Sequence, residues 1–113
     1  MTSADKVRRL GPLKLVVSDW ATSIRLIERV YFFGSRVRGE YRSDSDLDIA
    51  VQLTTTDPDE AVAQWTFECD KWTVELATLI PFQVDLQLLH MTATPTVVAG
   101  IARASLLVYA RQV

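Results

Sequence analysis

Apolar and polar positions along the 113-residue chain change their period several times, and each change marks an element. After a polar start, Pro12 opens a stretch in which apolar residues recur at the spacing of an amphipathic helix. This stretch predicts a helix over about 12–25. The pattern then turns to branched and aromatic residues, "LIERVYFF", which predict a first strand that ends at Gly34 and Ser35.

A polar segment separates the first strand from the second. The run "SRVRGEYRSDS" is too polar and too often interrupted by glycine for a long element, so it predicts a short helical turn and a loop. The next run, "DLDIAVQL", returns to the alternation of a strand. On this strand Leu47, Ile49 and Val51 share one face, and Asp46, Asp48 and Ala50 share the other.

The second half of the chain contains a strong helix start. Asp57 suits the N-cap, Pro58 the first helical position and Glu60 a capping box, so a helix is expected to run to about Leu79. We interpret its apolar stripe as core; the stripe comprises Ala61, Trp65, Cys69, Trp72 and Leu76. Beyond the helix, "FQVDLQLL" predicts a third strand, "PTVVAGIARA" a last helix and "LLVYAR" a final short strand.

The order of these elements predicts the fold class. Helix, strand, turn, strand, helix, strand, helix and strand together indicate an α/β (α+β) architecture, with helices packed on a small mixed sheet. A chain of 113 residues is the size of one domain, and we expect residues 1–113 to fold as a single unit.

Composition narrows the function classes. The formal net charge of −2 predicts no general affinity for nucleic acid. The single cysteine, Cys69, cannot form an internal disulfide, and the single histidine, His90, cannot build a histidine-rich metal site. We therefore expect a reducing, cytoplasmic setting, with Cys69 packed and His90 on the surface at a strand end. The apolar runs fall short of the ~20 residues that a bilayer requires, which argues against a membrane protein.

Three aspartates are the candidates for chemistry. Asp46 and Asp48 point to the same face, and neighbouring carboxylates repel unless a cation lies between them. Magnesium is usually held by one or two carboxylates together with substrate phosphates. If the second and third strands are parallel neighbours, Asp85 comes to lie beside the pair and completes a two-metal site. The alternative places these side chains at solvent-facing strand or turn positions, and Asp44 falls in such a turn.

The loop before the aspartates suits a phosphate. Gly34 lets backbone approach a ligand closely, Ser35 offers a hydroxyl, and the amides of the following helical turn would point toward an anion. Arg36, Arg38 and Arg42 add positive charge, although an arginine-rich loop is more often a solvated surface. We expect one of the three arginines, not all, to contact phosphate.

Two other motifs fail on the residues they require. Gly34 and Gly39 have the glycine spacing of a P-loop, but Glu40 and Tyr41 follow where lysine and then serine or threonine are needed. The run "DSDLDI" begins like an EF-hand loop, but Ile49 stands where glycine makes the sharp turn. Neither a P-loop nor an EF-hand is therefore expected.

At this point a family resemblance becomes visible. Gly34 and Ser35, ten intervening residues, and then Asp46 and Asp48 form a GS-x10-DxD pattern. The run "FFGSRVRGEYRSDSDLDIAV" resembles the minimal nucleotidyltransferases of the DNA polymerase β-like superfamily, which implies the nucleotidyltransferase fold. The later "VDLQLL" and "TPTVVAGIARASLLVYAR" resemble the same family, so the resemblance covers nearly the whole chain. One departure is Val37, where the family usually has alanine.

The resemblance implies a role for each site residue. Gly34 and Ser35 would hold the phosphates of a nucleotide. Asp46 and Asp48 would bind two Mg²⁺ ions, and Asp85 would be the third metal-binding carboxylate and the base.

A stand-alone copy of this domain resembles the antitoxin of HEPN/MNT toxin–antitoxin pairs. That resemblance implies transfer of AMP from ATP to a tyrosine of a HEPN ribonuclease toxin, with Trp20, Trp65 and Trp72 as candidates for a partner surface or for core. Two alternatives stay open: a non-catalytic antitoxin that masks its partner, and a nucleotidyltransferase that acts on a small molecule. The nucleotide, the acceptor and the oligomeric state stay open as well.

Overall fold

The computed structural model describes residues 10–42 and 45–112. Along the chain the elements are α1 (Gly11–Thr22), β1 (Ile27–Phe33), α2 (Ser35–Arg38), β2 (Leu47–Leu53), α3 (Pro58–Leu79), β3 (Val84–Leu89), α4 (Pro95–Arg103) and β4 (Ser105–Ala110). The expected order of helices and strands is confirmed. None of the helices in the described ranges is long and apolar enough to cross a bilayer.

The strands form one mixed sheet in the order β3-β2-β1-β4. Strand β1 is antiparallel to both of its neighbours, β2 and β4, whereas β2 and β3 run parallel. Because α3 connects the parallel pair, the expected crossover unit is present. The α/β prediction with a small mixed sheet is confirmed, and this topology makes Asp48 the direct neighbour of Asp85.

Local hydrogen bonds explain where two of the helices begin and end. Helix α1 ends at Thr22, earlier than expected, where the hydroxyls of Thr22 and Ser23 donate to the carbonyl oxygens of Ser18 and Trp20. At the start of α3, the carboxylate of Asp57 accepts a hydrogen bond from the amide of Glu60 at 2.8 Å. The predicted N-cap is therefore confirmed.

The two faces of the sheet are covered unequally. One face packs under α1 and α3 in a large core, in which Trp72 meets the rings of Trp20 and Trp65 edge to face at centroid distances of 6.1 and 6.0 Å. Within residues 10–42 and 45–112, the other face packs against the short helix α4, through a small cluster that includes Phe33 and Ala50. Among these residues part of the second face stays open, and Asp48 and Asp85 lie on it.

Candidate active site

The carboxylates meet where β2 and β3 begin. The amide of Leu47 donates to the carbonyl oxygen of Gln83 at 2.8 Å, which starts the parallel ladder and leaves Asp46 just before the strand. One residue into the strand, Asp48 lies beside Asp85 in register, and the two side chains share a hydrogen bond. The expectation that the topology brings Asp85 beside the aspartate pair is confirmed.

This cluster changes the acidity of Asp48. Burial raises the pKa of the Asp48 carboxyl to about 6, and the hydrogen bond with Asp85 and the negative charges of Asp85 and Asp46 act in the same direction. The positive charge of Arg38 partly opposes them. The site thus holds negative charge that repels itself and lacks full solvation, which is the electrostatic condition for binding a cation.

Gly34 brings the loop backbone against Asp48. It ends β1 with φ of 80° and ψ of −160°, a backbone conformation that L side chains rarely adopt. A Cβ atom added there would overlap with Oδ2 of Asp48 and would lie 2.8 Å from its Cγ. Only glycine therefore fits between the loop and the carboxylate. Ser35 follows as the first residue of α2 and is half-buried.

The three arginines of the loop occupy different environments. The Arg36 side chain is buried, with its guanidinium carbon 3.7 Å from the centroid of Phe82 and 4.4 Å from that of Tyr41. Its Nε donates to a backbone carbonyl, that of Ser45, at 2.9 Å. Arg36 thereby connects α2 to the segment that leads into Asp46 and to the segment that leads into β3.

Arg38 and Arg42 are more exposed than Arg36. The side chain of Arg38 is 25% exposed, and its Nε lies 3.4 Å from Oε2 of Glu40. Because its charge acts on Asp48, Arg38 lies on the side of the loop that faces the carboxylates. Arg42 is exposed. Asp44, which is predicted to lie in a turn, falls outside the described residues.

The carboxylates fit magnesium by their chemistry, but they are not a ready-made cage. Within residues 10–42 and 45–112, no three histidine, cysteine, aspartate or glutamate side chains group closely enough to form a metal site. The contact between Asp48 and Asp85 supplies a pair of hard oxygen donors at a place where charge is poorly solvated. A pair of carboxylates completed by phosphate and water is a usual magnesium environment. The donor set therefore fits a cation that arrives together with a nucleotide.

Sequence reasoning missed three contributors around the site. Phe82 and Tyr41 flank Arg36. No local pattern predicts the contact with Phe82, because Phe82 belongs to a segment distant in the chain, whereas Tyr41 lies only five residues after Arg36. Gln87 donates from Nε2 to Oδ2 of Asp85 at 3.0 Å. Its position two residues after Asp85 on the same strand was the signal that could have identified it.

His90 lies at the opposite end of β3 and holds a turn. Its Nδ1 accepts hydrogen bonds from the amides of Thr92 and Ala93 at 3.2 and 3.1 Å, so Nε2 carries the proton. Nε2 then donates to the carbonyl oxygen of Thr56 at 2.8 Å. The residue connects the two loops that follow the parallel strands, and it lies away from the carboxylates.

The tryptophans considered for a partner surface belong to the core. Trp72 is 2% exposed, and Trp20 and Trp65 are half-buried against it. The apolar side chains most exposed on α3 are Phe67, at 85%, and Val74, at 66%.

The chain is similar to one protein-family model and to several solved structures. A family model described as polymerase beta, nucleotidyltransferase matches residues 19–113. No curated protein matches the sequence.

Three solved structures share the fold. A toxin–antitoxin structure with AMP-PNP aligns with a TM-score of 0.60 at 24% identity, over 88% of this chain and 73% of that one. A mutant of the toxin–antitoxin MntA–HpeT aligns with a TM-score of 0.59 at 21% identity, over the same shares of 88% and 73%. A putative nucleotidyltransferase from Sulfolobus solfataricus aligns with a TM-score of 0.51 at 24% identity, over 98% of this chain and 90% of that one.

Proposed function

Because the chain belongs to the polymerase beta nucleotidyltransferase family, we propose that it transfers AMP from ATP to a hydroxyl group and thereby silences a toxin. The observation that carries this proposal is the side-chain contact between Asp48 and Asp85 at the ends of two parallel strands, directly beside Gly34. Mutually repelling carboxylates weaken a fold unless they serve a ligand. A surface that only masks a partner has no need of them.

In the proposed reaction, the chain's own residues bind the nucleotide, orient it and move a proton. Gly34 and Ser35 accommodate the phosphates, and Arg38 adds positive charge beside them. Asp46, Asp48 and Asp85 would hold Mg²⁺ as two ions, and bound magnesium would neutralise charge on the triphosphate. Asp85 accepts the proton of the acceptor hydroxyl. The acceptor oxygen then forms a bond to the α-phosphorus, the bond from that phosphorus to the β-phosphate oxygen breaks, and pyrophosphate leaves.

The proposed acceptor is a tyrosine of a HEPN ribonuclease toxin in the same cytoplasm. Two of the similar solved structures are toxin–antitoxin structures, and one of them contains the ATP analogue AMP-PNP. The other has aspartate-to-glutamate changes two positions apart, the spacing of Asp46 and Asp48 here. These likenesses support a nucleotide substrate and a toxin partner.

The test is label transfer with matched variants. The chain is incubated with magnesium and labelled ATP, CTP, GTP or UTP, with and without a candidate HEPN partner. We expect label from ATP on the partner, and loss of label in Asp46→Asn and Asp48→Asn. Asp19→Asn, an exposed aspartate of α1, is the matched control and should transfer like the unmodified chain.

The same experiment separates the alternatives. Equal neutralisation of the partner by the Asp46→Asn and Asp48→Asn chains would favour an antitoxin that acts by masking. Pyrophosphate release with a small hydroxyl compound, and none with the partner, would favour a small-molecule enzyme.

A further inference from the structure

Gln87 contacts the carboxylate that the proposed reaction uses twice, as metal ligand and as base. The side chains of Asp85 and Gln87 point to the same face of β3, and Nε2 of Gln87 lies 3.0 Å from Oδ2 of Asp85. An ionised carboxylate only accepts hydrogen bonds, so the group of Gln87 that faces it must be the amide nitrogen. The contact therefore has a defined direction.

The sheet places Asp85 between two different neighbours. Asp48 lies beside it on β2, and Gln87 lies two residues along β3. In the register, the β2 partner of Gln87 is Ala50, whose side chain is only a methyl group. A long side chain at 87 is not held away from Asp85 by a bulky neighbour on β2. One partner of Asp85 is thus an acid and the other is a neutral donor.

This arrangement fixes the orientation of the carboxylate. With Oδ2 engaged by the Gln87 amide, rotation of the Asp85 side chain breaks a hydrogen bond, so the carboxylate is held in one orientation toward a cation and the acceptor proton. Glutamine achieves this without adding a negative charge beside the neighbouring carboxylates of Asp48 and Asp85. Partners of this kind typically change metal affinity by roughly 10–100-fold.

We propose that Gln87 is a positioning residue that holds the Asp85 carboxylate in the orientation that binds the cation and accepts the proton of the acceptor hydroxyl. The proposal rests on the proposed function, because it gives Asp85 the role of metal ligand and base. It adds a residue to that site, one that acts through Asp85.

The test measures Mn²⁺ binding in the presence of AMP-PNP, an ATP analogue, and without partner, because the pair of carboxylates fits a cation that arrives with a nucleotide. Gln87→Met keeps the length of the side chain and removes the donor, and Gln87→Asn keeps the amide but shortens the reach. The matched control is Gln52→Met, because Gln52 is a half-buried glutamine of the same sheet face, near the far end of β2. Mn²⁺ titration followed by electron paramagnetic resonance gives the affinity, and a thermal melt confirms that each variant folds.

We expect Gln87→Met to weaken Mn²⁺ binding by about 10-fold, Gln87→Asn to fall between it and the unmodified chain, and Gln52→Met to change nothing. In the transfer assay, the Mg²⁺ concentration at half-maximal rate should rise by a similar factor in Gln87→Met. Unchanged Mn²⁺ affinity in folded Gln87→Met or Gln87→Asn would overturn the positioning role. So would an equal loss in Gln52→Met.

The outcome for this proposal is distinct from the outcome for the proposed function. A chain that binds Mn²⁺ with an affinity that falls in Gln87→Met, but that transfers no nucleotide, would remove the transferase proposal and keep the positioning role. If the chain transfers nucleotide, and Gln87→Met reaches its half-maximal rate at the same Mg²⁺ concentration as the unmodified chain, the transferase proposal is kept and the positioning role is overturned. An unmodified chain that binds no Mn²⁺ would overturn both.

Discussion

The two faces of β2 show how one strand can supply both stability and chemistry. Leu47, Ile49 and Val51 point under α1 and α3, and each is 0% exposed. On the opposite face, Asp48 lies among like charges and has a pKa raised to about 6. Burial of apolar side chains on the first face stabilises the folded state, whereas the crowded negative charge on the second face destabilises it. Substitutions on neighbouring residues should therefore have opposite effects on stability and activity.

The largest effect is expected from Asp48→Asn. Transfer should fall by at least about 10⁴-fold, or about 5.5 kcal/mol of transition-state stabilisation, because a metal-binding carboxylate is lost. Stability at pH 8 should rise, because the amide removes a crowded charge. Label transfer and urea unfolding measure the two quantities. Ile49→Ala is the matched variant on the other face: it should cost about 3 kcal/mol of stability and leave the rate per folded molecule nearly unchanged.

The stability gain of Asp48→Asn should depend on pH. With a pKa of about 6 in the folded chain against 3.8 for an ordinary aspartate, the folded state binds a proton more tightly than the unfolded state does. This group therefore lowers stability progressively as pH rises from about 4 to about 6, and it lowers it fully above that window. The gain of Asp48→Asn over the unmodified chain should be larger at pH 8 than at pH 4.5. An equal gain at both values would show that charge is not its cause.

Gly34→Ala is expected to lower transfer less than Asp48→Asn does, but it should lower both stability and activity. The positive φ and the overlap with Asp48 should cost about 2 kcal/mol of stability, and transfer should drop by roughly 30-fold as the carboxylate shifts. Gly11→Ala is the control, because an added Cβ there meets nothing within 4 Å. Urea unfolding and the transfer rate should both change only in the Gly34 variant. A Gly34→Ala chain as active as Gly11→Ala would contradict the close approach of loop and carboxylate.

Local pattern was enough to predict where Asp46, Asp48 and Asp85 lie, because alternation along a strand and the parallel crossover are rules that a sequence displays. It was not enough to separate Arg36 from Arg38. Burial of an arginine depends on which rings reach it, and Phe82 reaches Arg36 from a segment distant in the chain. The raised pKa of Asp48 was hidden for the same reason, since it depends on burial and on contacts across two strands.

The smallest effects are expected from substitutions of two arginines in the loop, Arg38 and Arg36. Arg38→Ala should raise the KM for ATP by about 10-fold and change stability by less than about 0.5 kcal/mol, because its side chain is partly exposed and its ion pair is with an exposed glutamate. Arg36→Lys should do the reverse: a stability loss of about 1 kcal/mol as the planar stack on Phe82 is lost, with the KM nearly unchanged. Steady-state kinetics measure the KM for ATP of the two variants, and urea unfolding measures their stability. A higher KM in Arg36→Lys with unaltered stability would assign the phosphate contact to the buried arginine instead.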